Sequence, residues 1–238
     1  MLHFIPLLSI LFVLVHADRQ QSWADKAQQG EFDFWMSHFD PMVEASTKRE
    51  WFLKYKKYFF DNGGFNVEKD FFNKKVVDIG AGPRPLTYVF VGANITVIEP
   101  LGDRFLEAAK ARIPAGSSNY LEIQKVEKVY SRPAEEYVEE LAGSMDVVVS
   151  TNSLDHTFAP VKYLRSAKDY LKPDGFFLLV VDLHDRTEEM HPEQSLFPKI
   201  IEQAYTAGLK FVRGGCDQPA AHPALAFASC WMVLMKNN

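Results

Sequence analysis

The chain has 238 residues, 26 Lys+Arg against 31 Asp+Glu, a formal net charge of -5, and 47% hydrophobic and 24% charged residues. That balance is globular. It excludes a disordered tail protein and argues against a nucleic-acid binder that works by neutralising phosphates. Two cysteines, Cys216 and Cys230, exclude a disulfide-dense scaffold, and the length suits one domain with a full core.

Residues 1–17 hold no Lys, Arg, Asp or Glu, and Ile5 to Val15 is apolar except for Pro6 and Ser9. Val15-His16-Ala17 places small residues where a signal peptidase reads, and Asp18-Arg19-Gln20 then turns polar. The expectation is a secretory signal peptide, too short for a usual membrane span and leaving none after cleavage. The sparse charge before it, only the α-amino group and His3, keeps an uncleaved anchor with a cytosolic domain as the alternative. Residues 18–64 form a second unit. Ser22 to about Phe60 reads as helical and is rich in Phe, Trp and Tyr. It is either an amphipathic cover on a sheet or a lid over a ligand pocket. Asn62-Gly63-Gly64 ends it as a cap and turn.

From Lys74 the pattern becomes short apolar runs separated by helical segments. Val76–Ile79, Ile95–Ile98, Met145–Val149 and Phe176–Val181 read as strands buried on both faces of a parallel sheet, with a further strand within Leu121–Val129. Helices are predicted at Asp103–Arg112, Ala134–Leu141, Pro160–Leu171 and Pro192–Ala207. The alternation predicts a doubly wound α/β sheet over residues 65–238. Leu209–Val212 and Leu225–Met235 leave no room for a crossover helix, so this last pair is expected to be antiparallel.

Asp78-Ile79-Gly80-Ala81-Gly82-Pro83-Arg84-Pro85 follows the first strand. Gly80 and Gly82 permit a tight turn close to a ligand at the carboxyl edge of the sheet. Asp78 precedes the first glycine by two, and Glu99 ends the next strand, where a carboxylate accepts hydrogen bonds from both ribose hydroxyls. A dinucleotide site would also want a glycine where Pro85 stands, which disfavours a pyrophosphate. A ligand with ribose and adenine but no phosphate fits better, and S-adenosylmethionine is such a ligand.

At these residues the sequence resembles the class I S-adenosylmethionine-dependent methyltransferases of the small-molecule type. Val77-Asp78-Ile79-Gly80-Ala81-Gly82-Pro83 resembles the family's first motif, and Val97-Ile98-Glu99-Pro100 its acidic motif. Met145 to His156 resembles the fourth-strand motif, and Leu171-Lys172-Pro173-Asp174-Gly175-Phe176 the turn into the fifth strand. The resemblance implies a seven-stranded, mostly parallel sheet with an antiparallel terminal hairpin. It implies that Gly80, Ala81 and Gly82 approach the methionyl part with Asp78 in support. By the same resemblance Glu99 holds the ribose, Pro100 and Leu101 lie against adenine, and Ser150 and Thr151 line the cofactor's other side. Where the family often has an acidic residue for the adenine amino group, this chain has Ser131-Arg132-Pro133-Ala134, so the adenine contact near Ala134 comes from backbone or from another side chain. Arg84 replaces a common glycine and either meets the cofactor carboxylate or faces water.

Methyl transfer is an in-line displacement in which the protein aligns the reactants and sometimes removes a proton. Asp155 and His156 follow the fourth strand and are the catalytic candidates, His156 because imidazole titrates near neutral pH. A structural histidine and a turn-capping aspartate are the alternatives. Asp182-Leu183-His184-Asp185 does not match the adjacent Asp-Asn pair of the magnesium-assisted subclass, so no metal is expected. Cys216 and Cys230 flank the terminal hairpin as either a disulfide or free thiols. Asn94-Ile95-Thr96 is formally a glycosylation sequon, but its place at the opening of a central strand argues against modification. The expected activity is methyl transfer to a small-molecule acceptor. A cofactor-binding or scaffold protein without turnover is the rival, and aminopropyl transfer a lesser one lacking a distinctive motif.

Overall fold

The computed structural model describes residues 25–43, 64–183, 196–216 and 229–237. Its seven strands are β1 (Lys75–Ile79), β2 (Asn94–Ile98), β3 (Lys128–Tyr130), β4 (Met145–Thr151), β5 (Leu171–Asp182), β6 (Leu209–Cys216) and β7 (Ser229–Lys236). The helices are α1 (residues 25–37), α2 (Phe39–Val43), α3 (Gly102–Arg112), α4 (Pro160–Tyr170) and α5 (Phe197–Thr206).

One sheet runs in the order β3-β2-β1-β4-β5-β7-β6. The first five strands pair in parallel, and β7 is antiparallel to both β5 and β6. β1 and β2 are buried along nearly their whole length because α3, α4 and residues 65–90 pack on their faces, which is why they read as unbroken apolar runs. In α4, Tyr163, Leu164, Ala167 and Tyr170 fall at helical spacing on the buried face, and Pro160 suits the first turn, where its missing N–H costs nothing. α3 buries Phe105 and Ala109 and carries Asp103 in its first turn with Lys110 and Arg112 in its last, matching the helix dipole. Among the described residues, no helix is long and apolar enough to cross a membrane.

The N-terminal segment packs onto α3. Phe32 stacks on Phe105 at 5.7 Å between centroids, the Arg104 guanidinium lies 3.8 Å over the Phe32 ring, and Phe39 is buried. The described part of the expected cover is therefore docked. Residues 44–63 and the apolar start at residues 1–17 lie outside the described residues.

Two expected elements differ. Ala134–Leu141 is not a helix: a turn is followed by a short 3-10 turn at Glu139–Leu141. Its apolar positions do sit in the core, but a helix would set Glu135 against Glu139 and Glu136 against Glu140 at repelling i,i+4 spacing. The Tyr170 hydroxyl instead accepts the Val138 N–H at 2.9 Å. Within Leu121–Val129 only the end is strand. Glu122–Lys125 coils into a 3-10 turn that carries Glu122 into the interior against Arg84.

Cys216 and Cys230 face each other across β6 and β7 and form a disulfide, with a sequence separation of 14. Closing a loop of that size is worth about 3 kcal/mol in the chain-entropy account. Melting with and without a thiol reductant is expected to show a loss near that value. A Cys216→Ser/Cys230→Ser chain should give the same lowered curve in either buffer.

Candidate functional site

Strand order reverses between β1 and β4, and the crevice outside their carboxyl ends is where open α/β sheets bind ligands. A cavity of about 470 Å³ opens there. The turns after β1, β2, β3 and β4 form its walls, through Gly80 and Gly82, Glu99 to Leu101, Pro133 and Ala134, and Asn152.

Gly80 and Gly82 both take left-handed backbone angles, with φ of 68° and 58°. The Gly80 N–H donates to the Ile98 carbonyl at 2.8 Å, tying the turn to β2. A Cβ on Gly80 would lie 2.2 Å from the Ser153 Cβ. Gly80→Ala therefore combines overpacking with left-handed strain, a cost of about 2–3 kcal/mol. Chemical denaturation should show it.

Glu99 is 5% exposed yet forms part of the cavity wall. Its two carboxylate oxygens accept the Gly82 N–H at 2.9 Å and the Leu101 N–H at 3.0 Å. The carboxylate thus clamps the glycine turn to the start of α3. Burial pushes its pKa up to about 7, against those two N–H bonds, with the Glu31 and Asp78 charges adding to the rise. Asp78 stands one layer behind the cavity wall and accepts the Thr87 hydroxyl at 2.7 Å, and burial raises its pKa to about 7 as well. It supports the turn from beneath, as does Ala81, which packs with the cluster under α3.

Ser150 and Thr151, expected along the cofactor's other side, do not reach the cavity; Asn152 and Ser153 form that wall. The cause is a buried hydroxyl network. Tyr163 OH lies 2.8 Å from Ser150 Oγ and 2.7 Å from Ser153 Oγ, and Ser153 donates to the Ile79 carbonyl at 3.0 Å. It draws Ser150 inward and locks the turn after β4 to the turn after β1. Thr151 Oγ1 is buried without a hydrogen-bond partner among the described residues. Asn152 takes a φ of 53°, a left-handed value uncommon outside glycine.

His156 lines the cavity, and its Nε2 lies 3.7 Å from Asp155 Oδ2. Asp155 is buried behind it and does not line the cavity. Arg84 meets neither expected environment: it is 2% exposed and pairs with Glu122 at 3.1 Å. Among the described residues, no cluster of three or more His, Cys, Asp or Glu side chains is placed to hold a metal. His184 and Asp185 lie outside them.

Motif reading did not reach the wall supplied by α1. Glu31 and Trp35 line the cavity, the Trp35 Nε1–H donates to Glu31 Oε1 at 2.6 Å, and the indole sits 3.4 Å from where a Gly82 Cβ would be. Glu135 also lines the cavity and accepts the Thr157 hydroxyl, bridging the turns after β3 and β4. It immediately follows Ala134, beside the place where an acidic residue was missed.

Residues 47–234 match the profile of a family described as methyltransferase domain. A ubiquinone biosynthesis O-methyltransferase of Colwellia psychrerythraea is 28% identical over 118 residues, 47% of this chain and 43% of that enzyme, so the match spans less than half of the enzyme's length. Burkholderia thailandensis 1,6-didemethyltoxoflavin-N1-methyltransferase, solved with 1,6-didemethyltoxoflavin and S-adenosylhomocysteine, superposes with a TM-score of 0.55 at 19% identity over 90% of each chain. The 4+2 cyclase SpnF superposes with a TM-score of 0.57 at 14% identity over 80% of each chain. Those two likenesses are of fold. With the family match running across both the sheet and the turns that wall the cavity, the chain belongs to the class I S-adenosylmethionine-dependent methyltransferases.

Proposed function

We propose that the chain transfers a methyl group from S-adenosylmethionine to a small-molecule acceptor held in the same cavity. The observation that carries this reading is the Glu99 clamp: one carboxylate at the end of β2, facing the cavity, hydrogen-bonded to the backbone of the glycine turn. A carboxylate oxygen bonded to one N–H keeps a lone pair for a ribose hydroxyl. Gly80 and Gly82 line the cavity and bring no side chain into it. The residues present therefore fit this cofactor.

When bound, the cofactor supplies a methyl group activated on a sulfonium. Glu99 would hold the ribose and the Gly80 to Gly82 turn would approach the methionyl part, with Leu101 and Ala134 against the base. Trp35 and Glu31 cover the turn and exclude water from the transfer path. His156, oriented by Asp155, accepts the proton that an oxygen or nitrogen acceptor loses. The Tyr163–Ser153 network keeps the two walls in register, because misplacing reacting atoms by an ångström is costly.

The fold by itself does not fix the reaction, as the similarity to a cyclase illustrates. The test is transfer of isotope-labelled methyl to a panel of small oxygen, nitrogen and carbon nucleophiles, with cofactor affinity measured in parallel. Turnover of at least one acceptor is expected. Tight cofactor binding with no transfer to any acceptor would favour the scaffold reading.

We also propose that the chain enters the secretory pathway. Support comes from the apolar start ending in Val15-His16-Ala17 and from the Cys216–Cys230 disulfide, a bond that persists in oxidising compartments. A tagged full-length chain recovered from the cytosol with residues 1–17 intact would refute it.

A further inference from the structure

The chain contains one Asn-X-Ser/Thr tripeptide, Asn94-Ile95-Thr96. Its place at the opening of a central strand argued against modification, and the structure removes that objection. Asn94 is the first residue of β2 and is exposed, whereas the four residues after it are buried. Its backbone N–H donates to the Lys74 carbonyl at 2.9 Å, and its register partner is Lys75. The carboxamide makes no hydrogen bond among the described residues, so the strand start is held by backbone alone and does not need that side chain. Thr96 is buried, but a sequon is read on the extended chain before the strand forms.

Position also matters. The cavity opens at the carboxyl edge of the sheet, and Asn94 lies at the amino edge. Five strand steps of about 3.3 Å separate it from Glu99, a distance of about 16 Å. A bulky substituent at Asn94 would leave the cavity open. Beside it on the same edge stand Phe72 and Val91, 55% and 52% exposed, joined through the Asn73 N–H to Gly92 carbonyl bond at 3.0 Å. A hydrated, solubilising group at Asn94 would shield this apolar pair from other chains.

We propose that Asn94 carries an N-linked oligosaccharide on the sheet edge opposite the cavity. The inference rests on entry into the secretory pathway, where both the donor and the disulfide-forming conditions are found. In the step, the Asn94 carboxamide nitrogen bonds to the anomeric carbon of a lipid-pyrophosphate-linked oligosaccharide. The lipid pyrophosphate leaves, and the nitrogen loses one proton.

The test expresses the full chain with its own amino terminus in animal cells and treats it with peptide-N-glycosidase. One discrete mobility shift is expected, with deamidation at Asn94 in the mass spectrum after treatment. Asn94→Gln and Thr96→Val should each abolish the shift, the latter while keeping the shape of the buried side chain, and Thr96→Ser should retain it. A shift that survives Thr96→Val overturns the assignment. So does an unmodified chain, and its amino terminus then separates the two readings. With residues 1–17 removed, secretion stands and the site fails. With residues 1–17 intact, the secretory reading fails and takes the site with it.

Discussion

Glu99→Ala is expected to weaken S-adenosylmethionine binding by about a hundredfold and to lower the melting temperature of the ligand-free protein. A charge-assisted hydrogen bond contributes about 1.5–3 kcal/mol, which is ten- to a hundredfold in affinity. The upper end applies because the same carboxylate clamps the turn through Gly82 and Leu101. Losing the clamp also frees two N–H groups at the cavity wall and costs the apo fold about 1–3 kcal/mol. An exposed ribose carboxylate would have left apo stability unchanged; burial couples the two effects. Calorimetric titration beside apo melting curves reads both, and unchanged affinity in a well-folded Glu99→Ala chain would refute the clamp's role.

The raised pKa of Glu99 makes the same site pH-sensitive, with a definite sign. An unfolded glutamate titrates near 4.3, whereas burial pushes Glu99 to about 7. Between those values the folded state binds more protons than the unfolded state, so stability falls as pH rises. The contribution is full below about pH 4 and lost through about pH 7. Asp78, also raised to about 7, acts in the same direction. Ligand binding runs the other way. The ionised carboxylate is the better acceptor for ribose hydroxyls, so cofactor affinity should rise from pH 6 to 8, with protons released on binding near pH 7. Titration in buffers of different ionisation enthalpy measures that release, and Glu99→Gln should abolish most of it.

His156→Ala is expected to lower kcat by about a hundredfold or more for an acceptor that loses a proton, within the range general bases contribute. Cofactor affinity should hold, because His156 sits in the turn after β4 while the Glu99 clamp follows β2, with β1 between the two strands. Asp155→Asn should produce a smaller fall, since it acts through the orientation of His156. Equal losses in kcat and in cofactor affinity would mark His156 as a structural residue of the wall.

Elements legible from sequence were those whose signal is local. β1, its glycine turn and Glu99 all lie between Lys75 and Glu99, and strand burial, left-handed turn and terminal carboxylate each leave a mark on residue type. The antiparallel hairpin followed from chain length alone. Contacts made across long separations left no such mark. Trp35 reaches Gly82 and Tyr163 reaches Ile79 and Ser150, and nothing in an aromatic on an amphipathic helix says which face of the sheet it will meet. Ser150 and Thr151 were misplaced for this reason: the Tyr163 hydroxyl pulls the first inward, and the cavity wall passes to Asn152 and Ser153. Arg84 reads as a cation that meets the cofactor carboxylate or faces water until Glu122, 38 residues later, folds in to meet it.

The indole of Trp35 against the glycine turn bears on how the molecule is assembled during synthesis. α1 precedes every strand of the sheet in the chain, yet its seat consists of Gly82 and α3, including the Arg104 to Gln29 hydrogen bond across 75 residues. Contacts at such separations carry a high loop-closure cost and form late. If the central strands pair before α1 docks, the sheet forms while the crevice is still open. In a chain with Trp23, Trp51 and Trp231 replaced by Phe, the fluorescence of Trp35 would then report a slow phase after the sheet's circular dichroism signal is complete. Cofactor added during refolding would speed the recovery of binding only if it captures the helix as it arrives.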